Sequence, residues 1–439
     1  MATTYLTRTL GTPTNNKKWT FSVWVKAGAL SGDRGIMSIG GTTSSYTRTN
    51  FDGGGQLEFD NKPGGSFDGR RYGSAKRRDP AAWYHFVLVF DSDNVTGDDR
   101  MITYVNGSRI TAYDNDLDPS SGAASGNTSS QTIRIGITDS AAYWNGVMAH
   151  AHFCDGQAYA ASDFGETDST SGIWIAKSSP SVTYGDNGGF YKFASGALGT
   201  DSSGEGNTMT VSGTMTNTKD TPDNNFPTGN YLDYDSPASN FTWTNGNNTI
   251  LDNADAAWRT ATATQGMASG KWYFEAKLDA VGSYGGIGVI DSNQTSPGSY
   301  EFGGQTRGYG YYNSGQKHNS GSDLSYGDTY TTGDIISVAL DLTNLKIYFA
   351  KNGTWQNSGV PTSGATGTGA AYTVSSGDFY LPCVGVYANT KWSYNFGNGY
   401  FGTTIVSSSE SDDAGLGSFE YDVPAGYYTL CTTNLGDQS

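Results

Sequence analysis

Cysteine, charge and long apolar runs are all scarce in this chain of 439 residues, and each shortage excludes a class of protein. Its three cysteines, Cys154, Cys383 and Cys431, lie too far apart to make the disulfide framework that staples small secreted domains, so they read as free thiols. No segment approaches the roughly 18 apolar residues of a membrane span. The first residues, MATTYLTRTLGTPTNNKKW, have no apolar core of signal-peptide length, so neither membrane insertion nor export is expected. Charged residues make up only 15%, and 26 Lys plus Arg against 42 Asp plus Glu leave a net charge of −16, which opposes a phosphate backbone and excludes nucleic acid as an expected partner. There are four histidines, His85, His150, His152 and His318, and no glycine-flanked serine elbow, so a Ser-His-Asp arrangement has no anchor. Heptads are missing too, and with them any coiled-coil trimer signal.

What the chain has in quantity is glycine (61), tyrosine (29) and aromatic residues in general (13%), a balance that suits many short strands joined by tight turns. The clearest stretch is 333–355, GDIISVALDLTNLKIYFAKNGTW. Ile336, Val338, Leu340 and Leu342 alternate onto one face of a strand; after a turn at Thr343-Asn344 the alternation resumes with Leu345, Ile347 and Phe349, and Asn352-Gly353 supplies a second turn. Earlier, WTFSVWVK places Phe21, Val23 and Val25 on one face, while WYHFVLVF is apolar on both (Val87 and Val89 against Phe86, Leu88 and Phe90), as expected of a strand covered on both sides. Asn106-Gly107 marks another hairpin turn. The length suits two cores.

The order WTFSVWVK, WYHFVLVFD, ITYVNGSRI, IRIGITD, YWNGVMAHAHF resembles laminin-G-like domains of the concanavalin A-like jelly-roll class, over about Tyr5 to Ala176. Trp272-Tyr273-Phe274-Glu275, Gly286-Ile287-Gly288-Val289, Gly333-Asp334, Asn352-Gly353 and Pro382 fall in the order of a SPRY domain. The stretch DTPDNNF (220–226) and the closing Pro424, Gly426, Tyr427, Leu430, Cys431, Asn434 and Leu435 resemble motifs of virion structural proteins of tailed phages, marine and cyanophage-like ones especially; the usual Pro after Leu435 is replaced by Gly436. The resemblance implies an all-β chain of two antiparallel β-sandwiches, a jelly roll at 1–176 and a SPRY-like sandwich at 238–397, with an irregular connector at 177–237 and a docking tail at 398–439. It further implies binding modules, often for carbohydrate in the first family and for protein partners in the second, with no catalytic chemistry in the SPRY part.

Candidate sites stand beside plainer readings. Glucanases of the concanavalin A-like fold need a Glu-x-Asp-x-Glu-like run; Glu58-Phe59-Asp60 starts one, but Lys62 and Pro63 follow, which leaves half a site. His150, His152 and Cys154 alternate, so in a strand they point one way, as zinc ligands or as an ordinary sheet face. The acidic runs DSDNVTGDD and DNDLD offer Asp91, Asp93, Asp114 and Asp116 to calcium, or are solvated turns; neither fits an EF-hand loop. Arg70, Arg71, Lys76, Arg77 and Arg78 cluster in one loop, as a solvated hairpin tip or as a dock for an acidic partner. Tyr284, Tyr300 and Trp355 look exposed and able to stack on sugar rings, whereas Tyr309, Tyr311 and Tyr312 read as core. No cofactor beyond that calcium is indicated.

The expectation is a non-enzymatic virion protein, assembled in the host cytoplasm as a tail fibre, tail appendage or capsid decoration. Its partners would be other virion proteins and host-surface glycans, and the protein itself would be a homo-oligomer in the particle. The alternative is a free lectin-like or carbohydrate-active protein.

Overall fold

The structure is a computed structural model that describes residues 3–28, 32–42, 44–138, 142–234, 240–253, 257–295, 300–377 and 379–437. The chain is nearly all β and divides into two units, Met1–Asn217 and Thr218–Ser439.

In the first unit an eight-stranded sheet runs in the order Tyr113–Leu117, Arg70–Lys76, Gln56–Lys62, Ser45–Phe51, Arg34–Thr42, Thr132–Ile135, Tyr5–Thr9, Thr210–Ser212. It faces a six-stranded sheet ordered Gly189–Tyr191, Gly146–Asp155, Lys18–Ala27, Trp83–Asp91, Met101–Val105, Ser108–Arg109. Alternation decides what each face does. Trp19, Phe21, Val23 and Val25 meet Phe86, Leu88 and Phe90 and the opposing Leu57 and Phe59 in the main core. Val87 and Val89 point the other way, into a second cluster with Cys154, Phe164, Tyr184 and Phe190. The strand with two apolar faces is therefore covered on both.

The second unit pairs a seven-stranded sheet, ordered Gly229–Tyr234, Arg259–Ala263, Tyr380–Tyr387, Tyr284–Asp291, Gly308–Tyr312, Gln316–Asn319, Ser322–Ser325, with a sheet whose centre is Lys391–Asn395, Lys271–Ala280, Ile335–Asp341 and Lys346–Lys351. Tyr311 from the first of these sheets packs 5.7 Å from Phe349 of the second, and the Tyr394 hydroxyl donates to the Ala261 carbonyl at 3.0 Å. Ile336, Val338 and Leu340 are fully buried as their spacing predicts. Leu342 and Leu345 are not strand residues. Both sit in the turn, Leu345 with φ of 57°, and Asp341 holds that turn by accepting from the Asn344 backbone N–H and side-chain amide, each at 2.8 Å. At Asn352-Gly353 both φ are positive, 47° and 78°, the conformation such a two-residue turn requires.

Of the stretch 177–234, residues up to Asn217 belong to the first unit and the rest to the second. Gly189–Tyr191 pairs with Gly146–Asp155, Thr210–Ser212 with Tyr5–Thr9, and Gly229–Tyr234 with Arg259–Ala263. Within 398–437 the tail lies on the outer side of the second unit: Tyr428–Thr429 pairs in parallel with Trp272 and Tyr273, and Phe419, Tyr427, Leu430 and Cys431 are buried. The motif at 220–226 meets the closing motif, where Thr432 N donates to Asn225 O at 3.0 Å and Asn225 N to Thr432 Oγ1 at 2.9 Å.

Candidate functional site

Strand alternation puts Glu58 and Asp60 together on the outer face of the eight-stranded sheet, because Leu57 and Phe59 take the core face. Arg48 and Arg70 flank them on the adjacent strands. Arg70 lies 3.2 Å from Glu58 and 3.3 Å from Asp60, and Arg48 lies 3.5 Å from Asp60. Burial pushes the Asp60 carboxyl up to about 6, against the pull of the two guanidiniums. At the place of a second glutamate stands Lys62, with its ammonium over the Tyr46 and Phe67 rings. The carboxylates are held in ion pairs with Arg48 and Arg70.

The cluster Arg70, Arg71, Lys76, Arg77, Arg78 is not one loop. Residues 70–76 form a strand, so the neighbouring arginines point to opposite faces. Arg71 is buried, bonds the Met101 carbonyl through Nε at 2.9 Å and pairs with Asp116 and Asp118. Lys76 and Arg78 are exposed at the strand end, while Arg77 is half-buried and donates to the Ala75 carbonyl at 2.8 Å.

The aspartates considered for calcium each contact a protein group. Asp91 pairs with Lys18 at 3.0 Å, Asp93 with Lys17 at 3.4 Å and Asp116 with Arg71, and Asp114 accepts from Gln56 at 2.7 Å. Among the described residues no group of three His, Cys, Asp or Glu side chains has metal-binding geometry.

The strand bulges between Ala149 and His152, and His150 takes a φ of 48°, yet His150, His152 and Cys154 all lie around Phe190, on which both imidazoles stack, at 6.2 and 3.9 Å. His152 stacks on Phe190 at 3.9 Å and bonds the Tyr184 hydroxyl at 2.9 Å. Burial pulls its pKa well below the ordinary histidine value, and that of His85 down to about 3. His85 Nδ1 accepts from the Trp174 indole at 3.0 Å, which leaves Nε2–H to donate to Ser22 Oγ at 2.8 Å. Both are neutral core histidines.

The second unit carries the arrangement with the plainest capacity to bind. In Gly286-Ile287-Gly288-Val289 the Ile and Val face the core, while the glycines open the outer face. A Cβ on Gly286 would stand 2.6 Å from the Tyr312 ring, and one on Gly310 would stand 2.7 Å from Phe302. On this floor Trp258 packs 5.5 Å from each of Tyr284, Tyr312 and Tyr387, with Tyr284 and Tyr387 edge to face. Tyr284 is 49% exposed. Tyr300 is half-buried beside the same cluster, and Trp355 is half-buried against Tyr273, Tyr348 and Tyr427, on the opposite sheet. Tyr309, Tyr311 and Tyr312 are all buried. Of the three aromatics expected to be exposed, only Tyr284 belongs to an exposed patch, and its partners Trp258 and Tyr387 were missed. Their signal was slight: single aromatics at strand ends, with nothing local to show that they converge.

On the first unit an open groove of about 600 Å³ lies on the outer side of the six-stranded sheet, lined by Lys18, Val89, Asp91, Ile102, Tyr104 and Tyr159 among others.

Fold and side chains together define a tandem of binding-type β-sandwiches. Residues 2–161 match the concanavalin A-like lectin/glucanases superfamily in its laminin-G form, and residues 271–399 match the SPRY domain. Ran-binding protein 9 of Homo sapiens is 36% identical over 101 residues, 23% of this chain and 14% of that protein. The dual specificity protein kinase splA of Dictyostelium discoideum is 37% identical over 100 residues, 21% and 4% respectively, and the ATP-dependent RNA helicase Ddx1 of Drosophila melanogaster is 32% identical over 145 residues, 32% and 17%. The matches thus span 4 to 17% of these relatives' lengths. Among solved structures, the SPRY domain of human HERC1 is similar with a TM-score of 0.29 at 18% identity, covering 35% of this chain and 91% of that one. A heptameric SAP-like pentraxin from Limulus polyphemus gives 0.27 at 16%, covering 36% and 72%.

Proposed function

We propose that this chain is a non-catalytic adhesion protein whose second unit binds a protein partner through the Trp258–Tyr284–Tyr387 patch. The observation that carries the reading is the patch itself, three rings in mutual contact with one half in solvent. Large aromatics at a domain edge supply the anchors of protein interfaces. Proteins named for binding Ran stand among the relatives, which supports the same class of partner.

The setting we propose, from the motifs at 220–226 and 424–435, is the surface of a tailed-phage particle, as a fibre, tail appendage or capsid decoration in symmetric copies. The groove of the first unit supports a second binding role there, for a host-surface saccharide lying over Tyr104 and Tyr159.

Competition by the purified chain for particle adsorption to host cells tests the reading. Trp258→Ala combined with Tyr284→Ala lowers competition by about tenfold or more; full competition by this variant overturns the docking surface. Immunogold on intact particles, with antibodies to each unit, tests the setting: unlabelled particles refute it. Sugar release from polysaccharides, lost in Glu58→Gln, would overturn the non-catalytic assignment.

A further inference from the structure

A single imidazole connects the aromatic patch to the loop beside it. His318 stands opposite Gly310 on one side and Asp323 on the other, so it shares the outer face with Tyr312. Its Nδ1 lies 2.9 Å from Glu301 Oε1 and 3.4 Å from Asp323 Oδ1. The loop passes directly over it: a Cβ on Gly303 would come within 3.0 Å of the imidazole. Beneath, the Tyr312 ring lies 5.3 Å from His318 and 5.5 Å from Trp258. Moving the imidazole therefore disturbs both the loop carrying Tyr300 and the ring on which Trp258 rests.

We propose that His318 is a pH-sensitive latch: as an imidazolium it clamps the loop at 300–304 through Glu301 and seats Trp258, and as a neutral ring it loosens both and weakens binding by the patch. The inference rests on the patch being the docking surface.

The groups that face His318 are Glu301 from the loop, Asp323 from the next strand and Tyr312 from beneath. Among the described residues neither carboxylate has another ion-pair partner, although Glu301 also acts on the Tyr312 hydroxyl beneath. Nε2 is buried and makes no hydrogen bond, so the polar contacts that hold the ring are those of Nδ1. The bond to Glu301, with both carboxylates, raises the pKa of His318 above the ordinary value against the opposing effect of burial. A raised pKa means the clamp is complete below the ordinary histidine range and is lost as pH rises through the raised value. A neutral Nδ1–H retains a bond to Glu301, but a charge-assisted bond is about twice as strong. The latch therefore loosens without opening fully.

Amide exchange of the full chain, read as protection factors for 300–304 at pH 6.0 and 8.5, tests this without any partner. Wild-type protection falls about tenfold at the higher pH. His318→Gln and Glu301→Gln are loose at both, while the second unit still melts cooperatively. Wild-type protection that ignores pH, or a His318→Gln variant that follows the wild type, overturns the latch. Loss of adsorption competition in the Trp258 variant, together with pH-independent protection, leaves the docking surface standing and refutes the latch alone. A pH-dependent loop with an inert Trp258 variant refutes the docking surface, and the coupling to binding with it.

Discussion

Exchanging Glu275 for glutamine asks whether a buried carboxylate, rather than apolar contact alone, holds the C-terminal segment on the second unit. In Trp272-Tyr273-Phe274-Glu275, Trp272 and Phe274 face the core, and Tyr273 and Glu275 lie beneath the tail. Glu275 Oε1 accepts from the Tyr273 hydroxyl at 2.8 Å and from Tyr421 N at 3.0 Å; Oε2 accepts from Glu420 N at 2.9 Å and from Asn395 Nδ2 at 3.3 Å. Glutamine is the same size but keeps one acceptor oxygen and places an NH2 where two donors point. Two buried donors lose their partner at about 1–3 kcal/mol each, so Glu275→Gln should destabilise the second unit by about 2–6 kcal/mol. Urea unfolding followed by tryptophan fluorescence measures the change, and limited proteolysis shows whether 410–431 becomes cleavable first. A variant within about 0.5 kcal/mol of wild type, with a protected tail, would refute the reasoning. It would mean that Phe419 and Tyr427 suffice.

Gly288→Ala should cost the second unit about 1–3 kcal/mol in the same assay, because its Cβ would stand 1.9 Å from the Tyr309 carbonyl oxygen and backbone must move. In the first unit Arg71→Ala leaves the buried Met101 carbonyl without its donor, while Asp116 and Asp118 are left partly in solvent, and should cost about 1–3 kcal/mol, whereas Lys76→Ser at the exposed strand end should stay within about 0.5 kcal/mol. Equal effects would restore the single-loop picture. Acid should weaken the first unit through His85 and His152: their folded pKa values are depressed, so their contribution is present above about 6.5 and is lost as pH falls, by up to about 1.4 kcal/mol per pH unit each. Asp60, raised to about 6, works the other way, and His152→Phe should make the calorimetric slope shallower. Burial raises Glu275 to about 7, so its contribution is full below about 4.5 and is lost as pH rises through 7, readable as a falling melting temperature of the second unit.

Much of the fold was legible because alternation is a local code. Ile336, Val338 and Leu340, the two-faced strand Trp83–Asp91 and the turns at Asn106-Gly107 and Asn352-Gly353 all follow from residues within one strand or hairpin. The same code misled where one residue interrupts the period. The bulge at His150 inserts a residue with positive φ into an expected regular strand, and the turn takes in Leu342 and Leu345. The connector was read by composition and the tail by resemblance, and neither reports the pairings that bury Phe190, Tyr191 and Tyr427.

The sequence by itself determined that the chain is all β, that strands such as Lys18–Ala27 and Ile335–Asp341 turn one face to a core, and that no linear catalytic or metal motif is complete. Only tertiary structure decided that Arg71 meets Asp116 and Asp118, that Glu275 captures the backbone at 420 and 421, and that Trp258, Tyr284 and Tyr387 converge. A strand's faces are set by neighbours two residues apart. A site on a sheet is set by which strands lie side by side, and here those partners come from positions up to 146 residues away.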